Sequence, residues 1–264
     1  VNSMETFLLC PPEYFTVEYS INPWMTGEKI DIGLAKKQWE DLRNTINHLG
    51  GKVKTINPAP GLPDMVFAAN SGIVRGKNVV MSRMKHKERQ GETNHYRSWF
   101  QAEGYHTIDL MPGVSFEGCG DGLIYDGSLI GGHGFRSDRK ALEITANSLG
   151  LNLFSLQLSN PRYYHLDTCF CRVSKDRAIY FPDAFVQGEI KKLQGIIDLV
   201  PVSDSDARLF MCNSMLVNGV LLIPEIQSDI GKTLRNTYGI KTCTVNVSEF
   251  LKSGGSIQCL CLKI

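Results

Sequence analysis

The sequence has almost no excess of charge of either sign, no long apolar run and no basic leader. Its 28 lysines and arginines and 27 aspartates and glutamates leave a formal net charge of +1. It therefore lacks the basic surplus that neutralises phosphates, and nucleic acid is not an expected partner. No stretch approaches the roughly 18 apolar residues of a membrane span, and the N-terminus does not read as a secretory signal. These absences predict a cytoplasmic protein without membrane contact.

The eight cysteines lack the spacing of a structural zinc site. Cys169 and Cys171, like Cys259 and Cys261, are separated by one residue, whereas zinc-ligand pairs usually leave about two to four residues between them. Eight cysteines are also few for a disulfide framework in a chain of 264 residues without a signal peptide. Free thiols are expected, with no metal and no other cofactor.

The chain also lacks a linker or a low-complexity tract that would divide it. With 42% hydrophobic residues, it can bury one large core, so residues 1–264 are expected to form a single domain. The opening Val1-Asn2-Ser3 stands ahead of Met4 and is interpreted as a remnant of cloning. The oligomeric state is left open.

A helix end, a glycine and a strand-like run recur together along the chain. Such glycines favour the left-handed conformation that ends helices. They stand at a nearly constant interval, at Gly51, Gly104, Gly150, Gly195 and Gly239. A further apolar run, usually with a hairpin turn, follows each strand, which predicts a ring of repeated modules. The last run stops before its turn, and Thr6–Cys10 can complete it and close the ring.

Polar residues occupy matching places in these modules, six positions before a turn glycine: Asn70 before Gly76, Asp121 before Gly127 and Asn213 before Gly219. This register directs them towards a common axis. Strand alternation further predicts one face carrying His165, Asp167, Cys169 and Cys171. The alternative is that glycines end helices in any α/β protein and that these polar residues cap strands.

Cys259 is the candidate nucleophile, because Gly254-Gly255-Ser256 forms a flexible turn that delivers it at the start of the last strand. A cysteine must be ionised to react well near neutrality, and His165 is the natural base. Cys261 shares the side of Cys259 by strand period and is assigned to packing. The alternative is a buried apolar cysteine and a core histidine.

Three acidic residues, Asp64, Glu117 and Asp167, are expected to converge with these two. A carboxylate binds a guanidinium through paired charge-assisted hydrogen bonds, and a second carboxyl group can transfer protons. Alternatively, Asp64 starts a turn after a proline and Glu117 is a solvated charge.

Four motifs in order, PDMVF, FEGCGD, HLDT and GGSIQCL, resemble those of the guanidino-group-modifying enzymes. These enzymes have the five-bladed α/β propeller called the pentein fold. The resemblance begins at CPPEYFTVEYSINPWM and covers nearly the whole chain. It implies that Cys259 attacks the guanidinium carbon of a small-molecule substrate, that His165 transfers protons and that Glu117 orients His165.

The same resemblance implies that Asp64 and Asp167 hold the guanidinium nitrogens and that Arg89 and Arg136 bind the substrate carboxylate. It also places Asn22 of INPWM in a loop that covers the substrate. Without the resemblance, Arg89 would be a solvated surface charge.

Asn70 distinguishes members of this group, because many dimethylarginine dimethylaminohydrolases have an acidic residue near this point of the PDxVF motif. The pattern Phe67-Ala68-Ala69-Asn70 is similar to that of arginine dihydrolases, which convert arginine to ornithine, carbon dioxide and ammonia. A deiminase, a dimethylaminohydrolase and, more remotely, an amidinotransferase remain alternatives. A ribosome-binding propeller protein without catalysis is the alternative from another class.

Overall fold

The computed structural model describes residues 4–225 and 227–264. The interpretation of Val1-Asn2-Ser3 as a cloning remnant lies outside these residues. Within them, no helix has the length and apolarity needed to cross a membrane.

Short strands assemble into five separate three-stranded sheets across the described residues. In chain order they are β1 (Thr6–Leu9), β2 (Lys52–Thr55), β3 (Gly72–Arg75), β4 (Asn78–Met81), β5 (His106–Ile108), β6 (Gly122–Tyr125), β7 (Ser128–His133), β8 (Asn152–Gln157), β9 (Phe170–Arg172), β10 (Arg177–Tyr180), β11 (Asp198–Pro201), β12 (Met215–Val217), β13 (Val220–Ile223), β14 (Lys241–Thr244) and β15 (Leu262–Lys263). Each sheet joins an antiparallel pair to a parallel third strand.

The helices of the described residues are α1 (Ile32–His48), α2 (Lys87–Gln90), α3 (Glu92–Ala102), α4 (Arg139–Leu149), α5 (Asp204–Arg208), α6 (Asp229–Asn236), α7 (Ser248–Leu251) and α8 (Ile257–Leu260). Helices α1, α3, α4 and α6 each connect the two parallel strands of one sheet, and shorter helices lie elsewhere in the connections. Helix α1 begins where the Asp31 side chain accepts a hydrogen bond from the Leu34 amide at 3.0 Å. Its buried face, including Trp39 and Leu42, packs in the same cluster as Phe7 of β1. Burial of each such large side chain contributes about 1.5–3 kcal/mol.

The two ends of the chain close the ring, as the sequence predicts. Strand β1 pairs antiparallel with β15, with Leu8 opposite Leu262, and parallel with β2. The arrangement is the five-bladed α/β propeller, and its inner strands β3, β6, β9, β12 and β15 border one cavity. Closure leaves no open sheet edge between the first and last modules.

One junction glycine was assigned one residue too late. Helix α1 ends at His48, and Gly50, with φ of 80°, adopts the left-handed conformation. Gly51 is instead packed against Ile46, whose side chain would lie 2.8 Å from an added Cβ. Gly195 has the expected positive φ, but a 3-10 helix, Glu189–Leu193, precedes it where an α-helix was predicted.

The predicted alternation from His165 to Cys171 is also wrong. Leu166–Thr168 forms a 3-10 turn, and β9 begins only at Phe170. Cys169 and Cys171 are buried in a hydrophobic cluster. His165 and Asp167 therefore approach the axis through a turn, where the period of a strand does not apply.

Candidate active site

Short helical turns precede the inner strands and carry the polar residues that the repeat predicts. Four of them are 3-10 turns, Ala68–Ser71, Gly118–Gly120, Leu166–Thr168 and Met211–Asn213. Asn70, Asp167 and Asn213 are buried on these turns. Cys259 lies on α8, the equivalent turn before β15, and not at the start of the last strand as expected. The common position of these turns brings side chains from different blades together.

The Cys259 thiol lies between an acceptor and a donor. Its Sγ donates to Asp167 Oδ2 at 3.2 Å and accepts from Asn213 Nδ2 at 3.1 Å. His165, which the sequence analysis placed beside the thiol as its base, is not one of these hydrogen-bonding partners. We call Cys259, Asp167 and Asn213 the thiol cluster.

The thiol cluster contains no cation to balance a negative charge. Burial, with the neighbouring Asp167 carboxylate, raises the pKa of Cys259 well above its ordinary value. Burial likewise raises the pKa of Asp167 to about 7. Burial therefore disfavours the charged form of both groups.

His165 and Glu117 form a second, charged cluster with Arg136. His165 Nε2 lies 2.8 Å from Glu117 Oε2, which also accepts from Arg136 Nη1 at 2.8 Å. Burial alone would raise the pKa of Glu117, but Arg136 and His165 outweigh it and hold that pKa well below its usual range. The resemblance implies that Glu117 orients His165, and the two side chains are in direct contact. We call these three residues the imidazole cluster.

Arg136 retains hydrogen-bonding capacity for a ligand. Besides Glu117, it donates to the Ile21 carbonyl at 2.8 Å, and its guanidinium lies 4.6 Å from the Tyr164 ring centroid. These contacts use one N–H of each terminal nitrogen, so the remaining donors can bind a carboxylate.

Arg89 is buried and not a solvated surface charge. It forms a paired contact with Glu92, at 2.8 and 2.9 Å, and donates to Asn70 Oδ1 at 2.8 Å and to the Asp64 carbonyl at 3.1 Å. Most of its donors are thus occupied by protein groups. Its contact with Asn70 gives it a positioning role in addition to the expected one of binding the substrate carboxylate.

Asp64 and Asn22 both form hydrogen bonds with Ser253. Tyr19 donates to Asp64 Oδ2 at 3.0 Å, and burial raises the pKa of this carboxyl group. Asn22 donates to the Ser253 carbonyl at 3.1 Å and accepts from the Trp24 amide at 2.9 Å. Asn22 therefore fastens the INPWM segment to the turn that leads to Cys259.

Two buried nitrogens without partners meet at Gly120. An added Cβ there would lie 2.4 Å from Asn70 Nδ2 and 3.1 Å from His165 Nδ1. Neither nitrogen has a hydrogen-bonding partner among the described residues. Since buried polar atoms are normally paired, the two unpartnered nitrogens distinguish this part of the site from the rest of the core. Only glycine leaves room for this approach.

Six of the predicted site residues border one small cavity of about 10 Å³. That volume holds about one water, so an arginine-sized ligand requires the walls to move outward. The walls are Ile21, Asn22, Met25, Asp64, Phe67, Asn70, Arg89, Arg136, Tyr164, Ser253, Gly255 and Cys259. His165, Glu117 and Asp167 contact these walls from behind.

A larger cavity of about 540 Å³ lies nearer the hairpin ends of the inner strands. Cys261 borders this cavity, whereas Cys259 borders the small one. The expectation that both cysteines face one side is therefore wrong, because α8 replaces the strand on which it relied. Cys261 packs in the core, as assigned.

Three contributors were not identified as site residues from sequence. Asn213 was placed near the axis by the repeat, but its contact with Cys259 depends on a neighbouring blade. Glu92 could have been found from its spacing of three residues from Arg89, although Arg89 lies in α2 and Glu92 begins α3. Asp121 accepts from the Leu166 amide at 3.0 Å and so fixes the backbone beside His165; only its register in the repeat signalled it.

Comparison with known proteins places this geometry among related chains. The family model described as N,N dimethylarginine dimethylhydrolase, eukaryotic, matches residues 12–264. The bifunctional arginine dihydrolase/ornithine cyclodeaminase ArgZ of Synechocystis sp. is 39% identical over 97% of this chain and 37% of its own length. The N(G),N(G)-dimethylarginine dimethylaminohydrolase of Mycobacterium tuberculosis is 36% identical over 98% of this chain and 85% of its own. The chain thus spans little more than a third of the bifunctional relative.

Solved structures of the ArgZ N-terminal domain share the fold. One, a cysteine-to-serine variant bound to substrate, has a TM-score of 0.93 and 38% identity, covering 98% of this chain and 97% of that domain. Another, an asparagine-to-serine variant covalently bound to a reaction intermediate, has the same score, identity and coverage.

Proposed function

Because the chain belongs to the N,N-dimethylarginine dimethylhydrolase family, whose eukaryotic model matches residues 12–264, we propose that it hydrolyses the guanidino group of L-arginine in two cycles. Each cycle uses a covalent adduct on Cys259, and the products are ornithine, carbon dioxide and two ammonia molecules. The observation that carries the proposal is the shared cavity of Cys259, Asp64, Asn70 and Arg136.

The substrate supplies the cation that the thiol cluster lacks. A guanidinium between Asp64 and Asp167 lowers the pKa of both carboxyls, because each then pairs with a positive charge. The same charge favours ionisation of the Cys259 thiol, which burial otherwise opposes. A cationic substrate therefore activates its own nucleophile, and free solvent does not.

The imidazole cluster transfers the protons. Cys259 Sγ bonds to the guanidinium carbon, a C–N bond breaks, and the departing nitrogen takes a proton from His165 to leave as ammonia. His165 then removes a proton from water, whose oxygen attacks the same carbon as the bond to Sγ breaks. The ionised Glu117 stabilises the imidazolium between these steps.

Asn70 favours a second cycle. The first product carries a neutral ureido group, which buried carboxylates stabilise less than they stabilise a guanidinium. An amide can donate to the ureido oxygen, as a carboxylate cannot. Arg89 donates a hydrogen bond to Oδ1 of Asn70, whereas Nδ2 of Asn70 has no partner among the described residues. In the second cycle Cys259 Sγ bonds to the ureido carbon as the terminal C–N bond breaks and the second ammonia leaves. A second water then displaces Sγ, and the resulting carbamate loses carbon dioxide and leaves ornithine.

Two hydrolytic alternatives have specific support. The family model and the Mycobacterium tuberculosis relative favour dimethylarginine, which would yield citrulline and dimethylamine. A deiminase would stop at citrulline with one ammonia. A propeller protein that binds without catalysis needs neither the thiol cluster nor the imidazole cluster.

The test is to incubate the purified chain with L-arginine or with asymmetric dimethylarginine and to measure amino-acid products, ammonia and dimethylamine. We expect ornithine with close to two ammonia per arginine, and Asn70→Asp should divert the product to citrulline. Asn78→Asp, the same change at an exposed position of β4, is the matched control and should preserve the wild-type products. Citrulline with one ammonia from wild type and Asn70→Asp alike would establish a deiminase instead, and dimethylamine from dimethylarginine alone a dimethylaminohydrolase.

A further inference from the structure

Asn213 contacts the candidate nucleophile through both ends of its amide. Its Nδ2 donates to Cys259 Sγ at 3.1 Å and to the Asp167 carbonyl at 2.9 Å. Its Oδ1 accepts from the backbone amides of Ser256, at 3.1 Å, and Cys259, at 3.2 Å. The side chain is fully buried on the turn before β12.

The direction of this amide is fixed by its neighbours. The two ends of an asparagine amide are otherwise nearly indistinguishable, and the hydrogen-bond network decides between them. Backbone N–H groups can only donate, so the end of Asn213 that meets Ser256 and Cys259 must be the oxygen. The nitrogen therefore faces Sγ.

We propose that Asn213 is the positioning residue of the nucleophile, holding the turn of Cys259 and donating an N–H to its sulfur as negative charge develops there. The inference rests on the proposed function of Cys259. A hydrogen bond to an anion is about twice as strong as one to a neutral acceptor, so this contact strengthens as the thiol ionises. Because the donor is already in place, no reorganisation is needed at that moment.

The same amide sets the separation of two reacting groups. It joins the turn of Asp167, in one blade, to the turn of Cys259, in another, where Sγ and Oδ2 are 3.2 Å apart. Asn213 does not border the small cavity itself. Its loss should therefore act on the chemical step more than on substrate binding.

The informative substitution is Asn213→Asp, which keeps the size of the side chain. One oxygen can still accept from the amides of Ser256 and Cys259. The other places an acceptor, with negative charge when ionised, against the sulfur and the Asp167 carbonyl. The variant thus replaces attraction of the developing thiolate by repulsion while preserving the shape of the site.

Gln38→Glu is the matched control, because Gln38 is also a buried amide that joins distant segments. It donates to Asn246 Oδ1 at 3.1 Å and to Ser248 Oγ at 2.8 Å, and accepts from the Glu249 amide at 3.0 Å. These contacts lie outside the thiol and imidazole clusters. A general loss of stability would affect both variants, whereas a loss of nucleophile positioning affects only Asn213→Asp.

The experiment measures the rate at which iodoacetamide alkylates Cys259 from pH 6 to 10, with the modified cysteine identified by peptide mass. For Asn213→Asp, we expect alkylation at least about tenfold slower at neutral pH, a profile displaced to higher pH, and a lower kcat for arginine with little change in KM. Gln38→Glu should retain the wild-type profile even if its melting temperature falls.

A folded Asn213→Asp variant with the wild-type alkylation profile and kcat would overturn the positioning role and leave the proposed function standing. A folded wild type that neither alkylates at Cys259 nor turns over any guanidino substrate would overturn the nucleophile itself. If Asn213→Asp does not fold, Asn213→Ser gives the same comparison, because its hydroxyl is too short to reach the sulfur.

Discussion

The imidazole cluster and the thiol cluster are equally buried, yet their carboxyl groups behave in opposite ways. Glu117 and Asp167 are both removed from solvent. Arg136 and His165 hold the pKa of Glu117 well below its usual range. Asp167, whose neighbours are the thiol and an amide, has a pKa raised to about 7. Burial raises the free energy of a charged carboxylate, and a neighbouring positive charge determines whether that increase is offset.

This difference assigns a task to each side of the site. The imidazole cluster carries balanced charge before any ligand enters, so it can orient His165 in the empty protein. The thiol cluster contains two groups that favour neutrality and no cation. Its charge must come from outside, and a guanidinium meets that need. Selectivity for a cationic substrate would thus follow from the missing countercharge as well as from shape.

The largest effect should come from removing the reactive atom of the thiol cluster. Cys259→Ala leaves the imidazole cluster intact but deletes the nucleophile, so arginine turnover should fall by about a thousandfold or more. Steady-state product formation measures the loss, and circular dichroism checks the fold.

Cys261→Ala is the control for that variant, since Cys261 is a buried cysteine bordering the other cavity. It should retain most of the activity. Turnover of Cys259→Ala above a few per cent of wild type would contradict the role of Cys259.

The next largest effect should come from Glu117→Gln, which removes the negative charge of the imidazole cluster. His165 then loses the charge that stabilises its protonated form, and Arg136 loses its ion pair. Since proton transfer by a positioned side chain contributes about 10²- to 10⁴-fold, we expect kcat to fall within that range.

Alkylation of Cys259 tests whether the two clusters are separable. Iodoacetamide should modify Cys259 in Glu117→Gln at a rate close to wild type, because Glu117 is not a hydrogen-bonding partner of the thiol. If this variant loses kcat and alkylation together, the two clusters act as one unit.

Much of the fold follows from sequence because its signals are local and repeated. Glycines recur at a nearly constant interval beside the helix ends, and the N-terminal run supplies the strand that β15 lacks. The errors arose where tertiary contacts override local periodicity. The turn Leu166–Thr168 and helix α8 stand where the pattern indicated strands.

The sequence predicts which residues lie together in the candidate site better than it predicts their hydrogen-bonding partners. One cavity is bordered by six of the predicted residues, which are Asn22, Asp64, Asn70, Arg89, Arg136 and Cys259. The partners of each group come from different blades, so no spacing along the chain specifies them. This explains why His165 was expected beside the thiol, where Asp167 and Asn213 are found.

Substitutions of Arg136 and Arg89 should have smaller effects, and these effects should differ between the two arginines. Arg136 has free donors near the imidazole cluster, and losing a charge-assisted contact costs about 1.5–3 kcal/mol. Arg136→Ala should therefore raise KM for arginine by about 10- to 150-fold. Agmatine, which lacks the carboxylate, should be a poor substrate of the wild type.

Arg89→Ala should combine a rise in KM with lower stability, because it leaves Glu92 buried without its ion pair. Thermal melting measured beside KM resolves these effects, with Arg139→Ala as control, because Arg139 is an exposed arginine that also forms an ion pair with a glutamate. Efficient turnover of agmatine by wild type would show that neither arginine binds a substrate carboxylate.

The last effect concerns stability against pH rather than activity, and it tests the raised pKa of Asp167 directly. An unfolded aspartate has a pKa of about 3.9, whereas that of folded Asp167 is about 7. Between these values the folded chain binds more protons than the unfolded chain, so this group's contribution to stability is full below pH ~4 and is lost as pH rises towards 7. One such proton gives at most about 1.4 kcal/mol per pH unit.

Asp167→Asn should flatten that dependence, because an amide does not titrate. Urea unfolding at intervals from pH 4 to 8 measures the slope of the unfolding free energy for wild type and variant. Glu117→Gln should change the pH dependence of stability in the opposite direction. The lowered pKa of Glu117 contributes stability that is present above pH ~4 and is lost on acidification. Removing this carboxyl group should therefore change the pH dependence of the unfolding free energy only in the acidic range. A slope between pH 4 and 7 that Asp167→Asn leaves unchanged would mean that the thiol cluster is already ionised, and the substrate would then not be the source of its charge.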